Sequence, residues 1–152
     1  MKKFILIAGL LLVAFNGWAN AKGFPAYDAA NPQTHCKKEW TKRGILNRDM
    51  YDFCMRREKG GYSDAAYLYE QYKNMEWIDL LVNYALEAWT KKGVTQYWMV
   101  HYVMDKQIES FLDIQYDFKT NIITEQDWNK CTSKWSVPDF NMIHYCLEKQ
   151  RE

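Results

Sequence analysis

One motif occurs three times in this chain of 152 residues, and the repetition constrains the fold more than any other feature. The first copy covers residues 36–58 and the second residues 85–107, at a constant offset of 49, with Trp, Thr, Lys, Gly and two Met in register. A shortened third copy covers residues 131–150 and lacks three residues of the central turn. A fixed period of this size is typical of repeat architectures, in which each unit buries its apolar face against its neighbours.

Each copy is symmetric about its own middle, which predicts an antiparallel helical hairpin. In the first copy, Cys36 and Trp40 share one helix face because they are four residues apart. Met50 and Cys54 share a face for the same reason. A turn at Gly44 then places Trp40 beside Met50 and Cys36 beside Cys54. The third copy follows the same rule about a shorter turn.

The middle copy decides how the four cysteines pair. Four cysteines allow three pairings, and spacing alone does not choose among them. The second copy has Ala85 and Val103 where the other copies have cysteine, so both thiols are absent together. This joint loss predicts the disulfides Cys36–Cys54 and Cys131–Cys146.

A metal site is the alternative interpretation of the cysteines. His35 adjoins Cys36, and His144 lies two residues before Cys146. However, no Cys-x-x-Cys pair or zinc-type spacing accompanies them. We therefore prefer the disulfides and predict neither a metal nor a cofactor.

The beginning of the chain has the pattern of a secretory signal peptide. Lys2 and Lys3 precede an apolar run over residues 4–15, and Ala19-Asn20-Ala21 forms a small-x-small cleavage site. An uncleaved membrane anchor is the competing interpretation, but the run is short for a membrane span. We predict cleavage after Ala21, a periplasmic or secreted mature protein, and no stable membrane span after cleavage. Such a compartment is oxidising and allows disulfides to persist.

The charge balance excludes one class of partner. Without Lys2 and Lys3, 18 of the 20 basic residues remain against 19 acidic ones, and they form no basic block. Nucleic-acid binding normally needs a concentrated positive surface. We therefore expect no nucleic-acid partner.

The local signals predict an all-α fold of about six helices, because strand alternation is absent. We interpret residues 22–152 as a single domain with repeats over about residues 32–60, 63–119 and 124–151. Helix boundaries follow from turn and capping residues. The predicted starts are Asn31-Pro32, Asn47, Ser63, Thr95, Thr124 with Asp127, and Pro138; the predicted stops are Gly44, Gly60-Gly61 and Gly93, with a break possible near Asn74.

The motif C-x3-W followed by M-x2-[FY]-C resembles a short signature of uncharacterised secreted proteins of Gram-negative bacteria. The resemblance covers about twenty residues per copy and is clearest over residues 131–150. It implies a helical hairpin closed by a disulfide. It implies no activity and no catalytic residues.

Catalytic chemistry has little support in the sequence. The three histidines do not fall at equivalent positions of the repeats, and no phosphate loop, nucleophile elbow or His-Glu-x-x-His run is present. Several acidic residues form helical i, i+4 pairs, which we interpret as a solvated helix face. We predict no catalytic residues and favour a non-enzymatic protein. The residues considered are His35, His101, His144, Glu87, Asp105, Glu109, Asp113 and Asp117.

Aromatic residues give the remaining indication of function. We assign the repeated positions to packing, turn and disulfide roles, and we place the repeated Trp40, Trp89 and Trp135 in the core. A separate group of tyrosines lies in the predicted connection between the first two repeats, where tyrosine suits protein interfaces and sugar stacking. We predict that they contact a partner, the alternative being that they fill gaps between hairpins. They are Tyr62, Tyr67, Tyr69 and Tyr72.

Two function classes follow. The favoured one is a non-enzymatic binding protein that presents a rigid helical surface to a protein partner in the cell envelope, such as an inhibitor, an immunity protein or an assembly factor. The alternative is a small envelope enzyme or glycan-binding protein that acts on peptidoglycan.

Overall fold

The structure is a computed structural model, and it describes residues 23–151. The predicted signal peptide and its cleavage site lie outside the described residues. Three helical hairpins follow one another, so the predicted all-α repeat fold is confirmed. The helices are α1 (Ala30–Trp40), α2 (Arg48–Tyr72), α3 (Ile78–Trp89), α4 (Tyr97–Lys119), α5 (Glu125–Thr132) and α6 (Phe140–Lys149).

The first two hairpins turn through short antiparallel strands that the sequence did not predict. These are β1 (Thr41–Lys42) with β2 (Ile45–Leu46), and β3 (Thr90–Lys91) with β4 (Val94–Thr95). Both central residues of each turn have positive φ, 51° and 80° at Arg43 and Gly44. This pattern belongs to the two-residue hairpin turn whose twist matches that of the flanking strands. Strands of two residues are too short to produce a visible alternation.

Two predicted helix boundaries near Gly60-Gly61 are wrong. Helix α2 continues through both glycines, and the Ser63 hydroxyl donates to the Lys59 carbonyl within the helix instead of capping a new one. The reason is tertiary, because Gly61 is buried against the backbone of Trp98 in α4, where a Cβ would overlap the Trp98 Cα. A small residue is therefore needed for close helix packing, not for a turn.

Of the other predicted helix starts, two are confirmed by their caps, while Thr95 is wrong because it lies in β4, before α4 begins at Tyr97. The Asn47 side chain accepts from the Met50 N–H at 3.2 Å, and Thr124 with Asp127 forms a capping box. Asn31, in contrast, lies inside α1, and its Oδ1 accepts from the Thr95 N–H at 3.1 Å. Asn31 thus ties the first hairpin to the turn of the second.

Helices α2, α4 and α6 pack side by side and run parallel. Glu58 of α2 lies against Tyr97, the first residue of α4, and Gln107 of α4 lies against Asn141 near the start of α6. Asp117, further along α4, meets Arg151 beyond the end of α6 at 3.2 Å. Since Glu58 and Gln107 are repeat equivalents, each hairpin is displaced along its neighbour by about ten residues, or about 15 Å.

The core lies between these staggered hairpins. Trp77, which connects α2 to α3, is buried, with ring centroids 4.6 Å from Phe111 and 5.2 Å from Phe140. The predicted core position of the repeated tryptophans is wrong for Trp135, which is 38% exposed, and Trp40 and Trp89 are only partly buried. Within residues 23–151, no helix has the length and apolarity to span a bilayer.

Candidate interaction surface

Both predicted disulfides are present. Cys36 is bonded to Cys54 and Cys131 to Cys146, each with a Cα separation of 5.7 Å. Ala85 is fully buried at the position of Cys36, and Val103 is partly buried at the position of Cys54. The outer hairpins are therefore closed covalently, while the central hairpin is held by packing.

A repeated Glu or Gln links each hairpin to the next. The Glu58 carboxylate is fully buried, and its Oε2 accepts from the N–H groups of Tyr97 at 2.7 Å and Trp98 at 3.5 Å. The Gln107 Oε1 accepts from the Asn141 N–H at 3.0 Å. Both groups satisfy backbone donors in the first turn of a helix, which have no partner within that helix. Glu58 and Gln107 are equivalent and chemically similar residues in the aligned repeats. The alignment alone does not show that they cap the next hairpin's helix.

A charged cluster surrounds Glu58 in the first hairpin. Glu39 Oε2 lies 3.1 Å from His35 Nε2 and 3.9 Å from Arg57 Nη2. Glu58 Oε1 lies 3.9 Å from His35 Nε2. Burial raises the pKa of Glu58, while the backbone N–H groups of α4, His35 and Arg57 act in the opposite direction. The Glu39 carboxylate therefore lies between two basic side chains, those of His35 and Arg57.

The same cluster tests the metal interpretation of the sequence. Donor atoms of His35, Glu39 and Cys54 lie within 4.8 Å of one another. The Cys54 sulfur is in a disulfide and offers no thiolate, which is the form that binds metals. Two donors remain, which is fewer than the three or four protein ligands of a typical zinc site.

The three histidines lie in three different hairpins and do not converge. His35 is in α1, His101 in α4, and His144 in α6, where its Nε2 lies 4.0 Å from Glu148. Of the acidic residues considered as catalytic pairs, Glu109 contacts Lys106 at 2.6 Å and Asp117 contacts Arg151. These contacts bring no histidine beside a nucleophile.

The four tyrosines predicted to bind a partner lie on α2, and three of them contact other parts of the fold. Tyr62 Oη donates to the Pro25 carbonyl at 3.1 Å. Tyr69 Oη donates to Asp79 at 3.1 Å, and the Tyr72 ring centroid lies 6.0 Å from that of Trp77. Only Tyr67 of the four is broadly exposed, at 63%.

The repeat extends further along the second helices than the motif suggested. Tyr62 packs on Tyr97 with ring centroids 5.3 Å apart, and its equivalent Phe111 packs on Phe140 at 5.1 Å. These contacts recur at the same place between consecutive hairpins. The offset of 49 between Tyr62 and Phe111 was visible in the sequence and could have revealed a packing role for Tyr62.

An exposed aromatic residue recurs at one position of every hairpin. The residue three after the repeated methionine is Phe53, Tyr102 or Tyr145, with exposures of 50%, 52% and 52%. A second equivalent pair, Tyr67 and Tyr116, is 63% and 62% exposed. Residues 14 apart lie on one helix face, so Phe53 shares a face of α2 with Tyr67, and Tyr102 shares the corresponding face of α4 with Tyr116. We call these five residues the aromatic face.

Each outer hairpin also has an open cavity beside its repeated tryptophan. In the first hairpin the cavity, of about 400 Å³, is lined by Trp40, Lys42, Ile45 and Asn47. In the third hairpin a cavity of about 350 Å³ includes Trp135 and Tyr145 among its lining residues. One member of the aromatic face thus borders a cavity.

Comparison of the chain with protein-family models, with curated proteins and with solved structures gave no match. The surface geometry of the described residues is therefore the basis for inferring the function of this chain.

Proposed function

We propose that this chain is a non-enzymatic binding protein that presents its aromatic face to a protein partner in the cell envelope. The observation that carries the proposal is the half-exposed aromatic residue at the same position of all three hairpins. Large exposed aromatic rings are costly to leave in water and are enriched at protein interfaces.

The scaffold beneath this face supports a fixed binding surface. Two disulfides close the outer hairpins, and buried Glu58 and Gln107 join consecutive hairpins at the starts of α4 and α6. Side chains held on packed helices lose little further conformational freedom on binding, which favours affinity.

The location is part of the same proposal. Two disulfides fit an extracellular or periplasmic protein. We infer that the mature protein begins after Ala21 and acts in the periplasm or outside the cell. The resemblance of its motif to secreted proteins of Gram-negative bacteria supports this location.

The proposal is tested by capture from envelope extract with the immobilised mature protein. A protein partner should be retained by the wild type and lost from a variant with Phe53→Ala, Tyr102→Ala and Tyr145→Ala. Ile122→Ala, an exposed apolar change outside the aromatic face, is the matched control and should capture normally. Circular dichroism must show equal helix content in all variants.

Two results would contradict the proposal. Capture that survives the triple substitution in folded protein would remove the aromatic face from the interaction. Retention of the wild type on purified peptidoglycan, without any protein partner, would favour the glycan-binding alternative.

A further inference from the structure

The charged residues that line the cavity of the third hairpin are all basic. Among the described residues that line it there are three lysines and no Asp or Glu. The nearby Asp127 carboxylate is committed to the capping box, where it accepts from both the N–H and the hydroxyl of Thr124. The complete lining is Lys130, Lys134, Trp135, Met142, Tyr145, Cys146, Lys149 and Gln150.

Each lining residue has a repeat equivalent in the first hairpin, and there a carboxylate lies among the equivalent side chains. Lys134 stands at the position of Glu39, whose carboxylate lies between His35 and Arg57. Glu39 Oε2 also lies 3.8 Å from Cys54 Sγ, so it covers the edge of the disulfide. In register, Lys130, Lys149 and Cys146 are the equivalents of His35, Arg57 and Cys54.

The two hairpins therefore carry opposite charges at this repeat position, Glu39 in the first and Lys134 in the third. The first hairpin supplies its own carboxylate to two basic side chains, whereas the third has a lysine where that carboxylate stands. Like charges around an open cavity repel one another and attract a carboxylate, with which lysines form charge-assisted hydrogen bonds. The central hairpin has Ala88 at this position and Tyr84 at that of His35, so it offers neither pattern.

We propose that this cavity binds a carboxylate of an acidic segment in the protein partner. The carboxylate lies at the repeat position of Glu39, beside Lys130 and Lys134 and next to Gln150, whose Nε2 lies 2.7 Å from Cys131 Sγ. Trp135, Met142 and Tyr145 receive the neighbouring apolar side chain of the segment, because they form the apolar part of the lining. This inference rests on the proposed binding function and specifies the chemistry of the partner.

The probe is a blocked peptide, acetyl-Glu-Phe-Glu-Glu-amide, compared with its Gln-containing analogue of equal size. Binding to the mature protein is followed by the NMR signal of the Trp135 indole N–H, assigned with Trp135→Phe, and by titration calorimetry. The acidic peptide should shift this signal saturably, and raised salt should weaken its binding. The Gln analogue should bind at least tenfold more weakly.

One substitution transfers the first hairpin's arrangement to the third. Lys134→Glu places a carboxylate at the Glu39 position, and it should reduce affinity for the acidic peptide at least tenfold. Lys130→Gln with Lys134→Gln should weaken it in the same direction. Lys38→Glu makes the same charge change at an exposed site on α1 and should leave affinity unchanged. Lys134 is exposed, so all variants should retain the wild-type helix content.

Several outcomes would overturn the inference. These are equal binding of the two peptides, undiminished binding by folded Lys134→Glu, or binding only to vesicles containing phosphatidylglycerol. A dimer that Lys134→Glu dissociates would assign the cavity to a second copy of the chain. If envelope capture is lost with the aromatic-face variant but not with Lys134→Glu, the inference fails while the proposed function stands. If the peptide binds but no protein is captured, the proposed function fails instead.

Discussion

At the scale of single residues, Glu58 is a buried carboxylate that caps the start of α4, whereas the equivalent capping group in the next repeat is the amide of Gln107. Gln107 makes the equivalent contact at 3.0 Å without a charge. A buried carboxylate with two backbone donors is stabilised as an anion by those bonds and destabilised by its loss of water. The net direction is a raised pKa, with burial the largest cause.

This direction predicts a pH-dependent difference between the wild type and Glu58→Gln. Between the ordinary Glu pKa of 4.5 and the raised pKa of Glu58, the folded state binds more protons than the unfolded state. Wild-type stability contributed by this group therefore falls as pH rises through that window. Urea unfolding at pH 4, 5, 6 and 7 should show Glu58→Gln gaining stability relative to the wild type as pH rises. Parallel pH profiles would contradict the raised pKa.

At the scale of helices, two adjacent glycines of α2 have opposite surroundings. A Cβ at Gly61 would overlap the backbone of Trp98, whereas a Cβ at Gly60 would meet nothing within 4 Å. Gly61→Ala should therefore force α2 and α4 apart and lower the free energy of unfolding by about 2 kcal/mol or more. Gly60→Ala is the matched control and should raise it by about 0.5–1 kcal/mol, because alanine favours an exposed helix interior. Chemical denaturation measures both, and a similar effect of the two changes would contradict the close contact.

The central hairpin should accept the disulfide that the outer hairpins have. Ala85 and Val103 are equivalent to cysteines whose Cα atoms are 5.7 Å apart, within the range that a disulfide spans. Ala85→Cys with Val103→Cys should oxidise spontaneously and contribute about 3 kcal/mol in the chain-entropy model. The measurements are a free-thiol count in folded protein and unfolding with and without reductant. Ala85→Cys alone controls for side-chain size, and two thiols that stay reduced in folded protein would contradict the equivalence.

At the scale of the whole molecule, the sequence predicted the structure within each hairpin and missed features that depend on packing between hairpins. The hairpins and both disulfides followed from symmetry and from the joint absence of cysteine at Ala85 and Val103. The continuation of α2 through Gly60 and Gly61 did not follow, because it depends on Trp98 in another hairpin.

The interaction surface was only partly predictable for the same physical reason. The recurrence of Phe53, Tyr102 and Tyr145 was visible, but a repeated aromatic residue is as consistent with a core as with a surface. Exposure depends on how far each hairpin is displaced along its neighbour. That displacement is fixed by Glu58 and Gln107, whose partners are distant in sequence.

The packing of each hairpin against its neighbour also predicts how stability is distributed among the three hairpins. In a repeat protein each unit depends mainly on its neighbours, so removal of one contact should weaken one end selectively. Gln107→Leu removes the acceptor for the Asn141 N–H at the start of α6 while keeping similar size. We expect amide exchange in α5 and α6 to accelerate about fivefold or more, since a lost helix-terminal bond is worth about 1 kcal/mol or more. Exchange in α1 should stay unchanged.

Ser110 provides the control for this experiment. Its hydroxyl also contacts Asn141, through Oδ1 at 2.6 Å, but this bond is exposed to solvent. Ser110→Ala should therefore alter exchange in α6 much less than Gln107→Leu, because water replaces an exposed partner readily. Hydrogen–deuterium exchange read by mass spectrometry resolves the three hairpins separately. Equal acceleration in all three hairpins would show that they unfold as one unit, and it would contradict the role of Gln107 as a local link between the second hairpin and the third.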